Sequence, residues 1–162
     1  MRFLLVAAAF ALAAPASLPA QTTTTSSVTP PAAADFTYAI PLTGRWTFAP
    51  AADGSAATFL NASAMPQLTI RCARATRRVS IAKAGNVAVP FLNVWTSTMT
   101  RGVPASFDPA TARITIQLAA YDPLLDALAF SRGRIAIYAA DKPALVVPAW
   151  PEIARVVEDC RS

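Results

Sequence analysis

The chain of 162 residues contains no histidine, only two cysteines and only five glycines. Without histidine it lacks the commonest general base and the commonest metal ligand of proteins, which argues against most hydrolytic and metal-dependent chemistry. The few glycines leave little material for loops that cradle phosphate, and the motifs G-x-S-x-G and S-x-x-K do not occur. The composition therefore disfavours the common enzyme classes.

Acidic residues are also scarce, with nine aspartates and glutamates in the whole chain. Asp53 and Asp108 lie in contexts typical of turns, while Asp122 and Glu152 suit the starts of helices. A glycosidase-like site would need two carboxyl groups facing each other across a cleft. We therefore predict a protein with no catalytic residues, no cofactor and no metal site.

The first 20 residues have the pattern of a secretory signal peptide. One basic residue, Arg2, precedes an apolar run over residues 3–14, and cleavage is expected after Ala20. The run is shorter than the 20 or so apolar residues that span a bilayer, so a retained membrane anchor is the weaker alternative. Arginine far outnumbers lysine, as in GC-rich bacterial genomes. We expect a bacterial protein that is periplasmic or secreted, with no transmembrane segment after signal cleavage.

Residues 21–34, QTTTTSSVTPPAAA, contain almost no bulky apolar side chain. Such a segment buries too little surface to order itself. We interpret it as a linker, with an O-glycosylated stalk as the alternative. The roughly 140 residues that remain after cleavage are enough for one hydrophobic core but not two. A single β-rich globular domain is therefore expected over residues 35–162.

Most of this domain alternates apolar and polar residues with a period of two, which is typical of half-buried strands. The clearest example places Leu68, Ile70 and Cys72 on one face, with Thr69 and Arg71 on the other. The pattern predicts strands at Phe36–Ile40, Arg45–Phe48, Ala56–Leu60, Leu68–Cys72, around Val79 and Ile81, and at Val87–Ser97, Arg113–Ala119 and Arg134–Tyr138.

Two segments change to helical periodicity. Asp122 followed by Pro123 predicts the start of a short helix, which Gly133 ends. A second helix begins at Pro151, and its apolar residues share one face. These residues are Ile153, Val156, Val157 and Cys160. We therefore predict an α+β fold in which an antiparallel β-sheet, folded as a sandwich or partial barrel, is covered by one short helix and a C-terminal helix.

The two cysteines each lie on an apolar face, Cys72 on its strand and Cys160 on the last helix. In an oxidising compartment this arrangement predicts one structural disulfide. A redox-active pair would be expected to show close C-x-x-C spacing and exposure. Two free thiols are the remaining alternative.

The densest run of charge is formed by Arg71, Arg74, Arg77 and Arg78. Two interpretations are open: a site for an anionic ligand, lipid headgroup or acidic partner, or a solvated edge that discourages strand pairing. The net charge of +5 is modest, and export argues against a nucleic-acid partner, so none is expected.

Several segments follow one another in a recognisable order. A W-x-F strand (Trp46, Phe48) and an L-x-I-x-C strand ending at Cys72 precede the unit DPLLDALAFSRGRIAIY and a last helix, PEIARVVEDC. This order resembles small, largely uncharacterised exported bacterial proteins, such as the VasI-like type VI secretion accessory proteins and the invasion-associated locus B family. The resemblance spans most of residues 45–160. It implies a β-rich, disulfide-closed, non-catalytic periplasmic domain.

We therefore expect a non-enzymatic periplasmic or secreted accessory or binding protein, with an envelope or secretion protein as its partner. The alternative is an inhibitor of an exported hydrolase, such as a lysozyme or a protease. An inhibitor of this kind would present a rigid loop to an active site, and the segment Thr98–Asp108 is the candidate loop.

Overall fold

The computed structural model describes residues 34–139 and 142–162. The predicted signal peptide and all of the predicted linker except Ala34 lie outside the described residues. Nine strands and two α-helices are present in the described part of the chain. In order they are β1 (Gly44–Ala51), β2 (Gly54–Asn61), β3 (Pro66–Ala73), β4 (Arg78–Ala84), β5 (Phe91–Trp95), β6 (Thr100–Asp108), β7 (Arg113–Ala119), α1 (Pro123–Ala129), β8 (Arg134–Tyr138), β9 (Leu145–Pro148) and α2 (Pro151–Asp159).

The strands form one sheet in the order β1-β2-β3-β4-β7-β6-β5-β8-β9, and every strand pair is antiparallel. The sheet curls into a half-barrel, which matches the expected partial barrel rather than a sandwich of two sheets. The predicted antiparallel sheet, short helix and C-terminal helix are confirmed. Neither helix in the described part of the chain has the length and apolar character needed to cross a membrane.

Leu68, Ile70 and Cys72 of β3 define the inner face of the sheet, and all three are fully buried. Helix α2 packs against β1, β2 and β3, and it also contacts α1. The apolar face of α2 contributes the buried residues Ile153, Val156 and Val157. The alternating apolar residues of the strands and the apolar face of α2 therefore pack together in a single core.

The two edges of the sheet approach each other. The indole Nε1 of Trp46 in β1 donates a hydrogen bond of 2.8 Å to the carbonyl oxygen of Pro148 in β9. Just before β1, the amide of Leu42 donates to the carbonyl of Val146, also at 2.8 Å. These bonds partly satisfy two strand edges that would otherwise expose unpaired backbone groups.

Two predictions about the strands were wrong. Residues 36–40 form a turn, because Phe36 turns inward and packs its ring against Trp95 and Tyr138, at centroid distances of 5.9 and 5.2 Å. The predicted loop at Thr98–Asp108 is mostly strand β6, which contributes the buried Val103.

The glycine and proline that suggested a loop in β6 have a structural explanation. Residues 100–104 of β6 pair with β5, and residues 105–108 pair with β7. Pro104 lies where the pairing passes from one neighbour to the other, a position at which the missing amide hydrogen is tolerated. The inhibitor alternative therefore loses the loop on which it depended. Strand β9 was not predicted at all.

Asp122 is the N-cap of α1, as predicted, and its carboxylate accepts a hydrogen bond of 2.9 Å from the amide of Leu124. The same carboxylate accepts bonds of 2.7 and 2.8 Å from Nη2 of Arg101 in β6. Burial acts to raise the pKa of Asp122, but the bonds from Arg101 and Leu124 outweigh it, so the pKa lies below its ordinary value.

We predict that Asp122→Ala lowers the free energy of unfolding by about 1–2 kcal/mol, because it removes both the cap and the ion pair. Asp122→Asn, which keeps the cap, should cost about 1 kcal/mol or less at pH 7. Since the carboxylate has a lowered pKa in the folded protein, its contribution is complete above about pH 4 and disappears as the pH falls through that pKa. Urea unfolding of the wild type and the variants at pH 7 and pH 2.5 measures these differences in the free energy of unfolding. An Asp122→Asn variant that is destabilised relative to the wild type by the same amount at both pH values would contradict the prediction.

Candidate functional site

A disulfide joins the end of β3 to the C-terminal end of α2. Cys72 and Cys160 are bonded, with 5.3 Å between their Cα atoms, and both are buried. This confirms the predicted disulfide. A single 3-10 turn at Arg74–Thr76 follows β3. Of the four arginines singled out from the sequence, Arg74 begins this turn and the other three flank it in the sequence.

The four arginine side chains do not all face the same way. Arg71 lies on the outer face of β3, and its Nη2 contacts both carboxylate oxygens of Asp53 at 2.5 and 2.6 Å. This bond is the main cause of the lowered pKa of Asp53. Arg74 instead faces α2 and pairs with Asp159, with its Nε 3.0 Å from Oδ1. Two of the four charges are thus neutralised by nearby carboxylates.

Arg77 and Arg78 are exposed, and neither takes part in an ion pair among the described residues. Arg77 has a φ of 47°, in the left-handed region, and its carbonyl accepts a bond of 2.9 Å from the amide of Ala120. The turn is therefore held to the start of the segment that leads to α1. Arg78 begins β4 and is paired in register with Ala119 of β7.

Arg71 and Arg78 line one concave surface, which we call the outer groove. It has a volume of about 530 Å³, and its other lining residues are Asp53, Ala73, Thr76, Ser80 and Gln117. The floor follows the sheet register, since Arg71 is opposite Ser80 and Ser80 is opposite Gln117. The predicted patch is therefore only partly assembled: Arg71 and Arg78 share the groove, whereas Arg74 and Arg77 do not line it.

A second concave site lies at the other end of β4, and we call it the lysine cavity. It has a volume of about 280 Å³ and combines polar residues with aliphatic walls. The lining consists of Lys83, Ala84, Gly85, Asn86, Val87, Val89, Leu92, Ile114, Ala139, Lys142 and Pro143. The two lysines are the only lysines in the chain.

Lys83 occupies an inward-facing position of β4. It is paired in register with Ile114, just as Ile81 is paired with Ile116 on the same face. Its Nζ donates a bond of 3.3 Å to the carbonyl of Ala84. Burial lowers the pKa of Lys83, because removing an ammonium group from water disfavours its charged form. The lysine cavity was not predicted, although the position of Lys83 two residues after Ile81 indicates that its side chain faces inward.

Neither site resembles a metal centre. Among residues 34–139 and 142–162, no cluster of three or more cysteine, aspartate or glutamate side chains could hold a metal ion. The chemistry available in the outer groove is charge and hydrogen bonding, from guanidinium, hydroxyl and amide groups. The lysine cavity offers an ammonium group beside aliphatic surface.

The comparisons with known proteins add no relative. No protein-family model matches the chain, and neither a curated protein nor a solved structure matches it.

Proposed function

We propose that this chain is a non-enzymatic accessory or binding protein of the periplasm or the extracellular space, which binds an acidic segment of a partner protein through the outer groove. The observation that carries the proposal is the placement of Arg71 and Arg78 on adjacent strands of one groove, next to the polar side chains of Ser80 and Gln117. We take the partner to be an envelope or secretion protein.

The groove has properties that favour recognition of an anionic partner. Arg71 is fixed on a strand rather than on a loop, and Asp53 neutralises only one of the two arginine charges in the groove. Arg78 is exposed and has guanidinium donors available for a bidentate contact with a carboxylate. The overall net charge of +5 favours encounter with acidic surfaces.

The proposed compartment is supported by the disulfide, because such bonds form and persist mainly in oxidising environments. Cys72 is the penultimate residue of β3, so the disulfide restrains the turn that joins the two arginine-bearing strands. A rigid basic groove loses little conformational entropy on binding.

Charge reversal in the groove tests this proposal. We predict that Arg78→Glu abolishes or reduces at least tenfold the recovery of the protein's partner from an envelope fraction after mild cross-linking, because the partner's carboxylates then face a negative charge. The matched control is Arg132→Glu, which makes the same change in net charge at an exposed residue outside the groove.

Quantitative mass spectrometry of the captured proteins is the measurement, at two salt concentrations. Wild-type protein and the Arg132→Glu variant should capture the same protein, with less recovered at higher salt. Equal capture by all three proteins, or equal loss in both variants, would show that the outer groove is not the binding surface.

A further inference from the structure

The position of Lys83 on the inner face of β4 is unusual for a lysine. Along this strand, the inward positions 79 and 81 carry the buried residues Val79 and Ile81. Lys83 is the next residue on that face, opposite the buried Ile114. A lysine side chain is seldom placed against buried aliphatic residues unless its ammonium group pairs with an anion or reaches water.

The ammonium group of Lys83 has hydrogen-bond donors left for a ligand. Among the described residues, Lys83 makes one hydrogen bond, to the carbonyl of Ala84, whereas an ammonium group carries three donors. The ion pairs found among the described residues do not include Lys83. The side chain lines a cavity, so an acceptor placed there can reach it.

Much of the remaining lining of the cavity is aliphatic. Val89, Leu92 and Ile114 line it, together with Val87, which is 46% exposed at its rim. Lys142 also lines the cavity and is exposed. The site therefore offers positive charge beside apolar surface, which is the complement of an amphipathic anion.

The size of the cavity limits the ligand. A water molecule occupies about 30 Å³ in the liquid, so a volume of about 280 Å³ corresponds to about nine waters. A molecule of about ten non-hydrogen atoms fits this space. A carboxylate with a chain of about eight carbons has this size.

We propose that the lysine cavity binds a small amphipathic carboxylate, whose carboxylate group contacts Nζ of Lys83 and whose hydrocarbon chain packs against Val87, Val89 and Leu92. This site is separate from the outer groove, because Lys83 lies on the inner face whereas Arg71 lies on the outer face. Failure of one proposal would therefore leave the other unaffected.

Isothermal titration calorimetry of the full chain with three probes tests this inference. Octanoate has both charge and chain, octanamide has the same number of non-hydrogen atoms without the charge, and acetate has the charge without the chain. We expect octanoate to bind at least tenfold more tightly than octanamide, since a hydrogen bond to a charged group contributes at least this factor. We expect the same margin over acetate, since burial of several methylene groups contributes more than this factor.

Two variants test whether Lys83 supplies the positive charge that recognises the carboxylate. Lys83→Met is expected to lose the preference for octanoate over octanamide, while octanamide affinity is retained or increased. Arg45→Met, which removes one positive charge from the exposed side of β1, should leave the preference unchanged. Amide chemical-shift changes on adding octanoate should centre on Lys83, Gly85 and Asn86. No binding of octanoate, equal affinity for octanamide, or an unchanged preference in Lys83→Met would each overturn the proposal.

The stability of the Lys83→Met variant separates loss of the site from loss of the fold. Burial lowers the pKa of Lys83, so near neutral pH the charged lysine costs stability that methionine does not. We expect the variant to melt at or above the wild-type temperature at pH 7. Between the lowered pKa and about pH 10.4, the unfolded chain binds more protons than the folded protein. The stability of the wild type therefore rises with pH through this window, and the difference in melting temperature between the variant and the wild type narrows. A variant that melts well below wild type at pH 7 would contradict this.

Discussion

Replacing Cys72 and Cys160 together by alanine is expected to lower the melting temperature by about 10 °C or more. The disulfide joins residues 88 apart in the sequence, and on the chain-entropy model closing such a loop stabilises the folded state by about 4–5 kcal/mol. For a domain of this size, each 1 kcal/mol corresponds to about 3–5 °C. The measurement is calorimetry of the oxidised wild type and of the double variant.

The reduced wild-type protein is the control for the cross-link itself, because it keeps both sulfur atoms in the core. It should melt close to the double variant and well below the oxidised protein. Hydrogen exchange should show the largest loss of protection in α2, whose last residues the bond holds against β3. A double variant that melts within 2 or 3 °C of the oxidised protein would mean that packing alone holds α2 in place.

The second large effect is expected at Trp46. Its side chain is 5% exposed and packs edge-on against Phe59, with ring centroids 5.5 Å apart. We predict that Trp46→Ala lowers the free energy of unfolding by about 3–5 kcal/mol, because it empties a large volume in the core. It also removes the donor that joins β1 to Pro148 in β9.

Two further variants divide this effect into its parts. Trp46→Phe keeps most of the buried ring but leaves the Pro148 carbonyl without its indole donor, which should cost about 1 kcal/mol beyond the change in packing. Trp150→Ala is the matched control, since Trp150 is 40% exposed and makes no side-chain cap bond to α2. Urea unfolding curves measure all three; a Trp150→Ala variant as unstable as Trp46→Ala would refute the core role assigned to Trp46.

The parts of the fold that could be predicted are those that local patterns determine. Alternation around Leu68 and Ile70 predicted β3 and its buried face, and Asp122 before Pro123 predicted the start of α1. Strand β6 was missed because Gly102 and Pro104 are turn-type residues. Their acceptance in a strand depends on β5 and β7, which no local pattern reveals.

In the candidate sites, too, the features set by neighbouring residues could be predicted and those that depend on distant segments could not. The four arginines are close in sequence, but Asp159, which pairs with Arg74, is 85 residues away, so the split of the patch could not be foreseen. The inward position of Lys83 could have been predicted, because it continues the period of Val79 and Ile81. Its cavity could not, since Leu92, Ala139 and Lys142 come from distant segments.

The single cysteine pair also limits what can go wrong while the protein is made. With two cysteines in the chain, only one intramolecular pairing exists, so an isomerase has no wrong pairing within this chain to correct. Cys160 is the 88th residue added after Cys72, and at about 5–20 residues per second these 88 residues take about 4–18 s to be synthesised. Until Cys160 is made, the Cys72 thiol has no cysteine partner within the chain, so oxidation at that stage would give a mixed disulfide or a covalent dimer rather than a scrambled monomer.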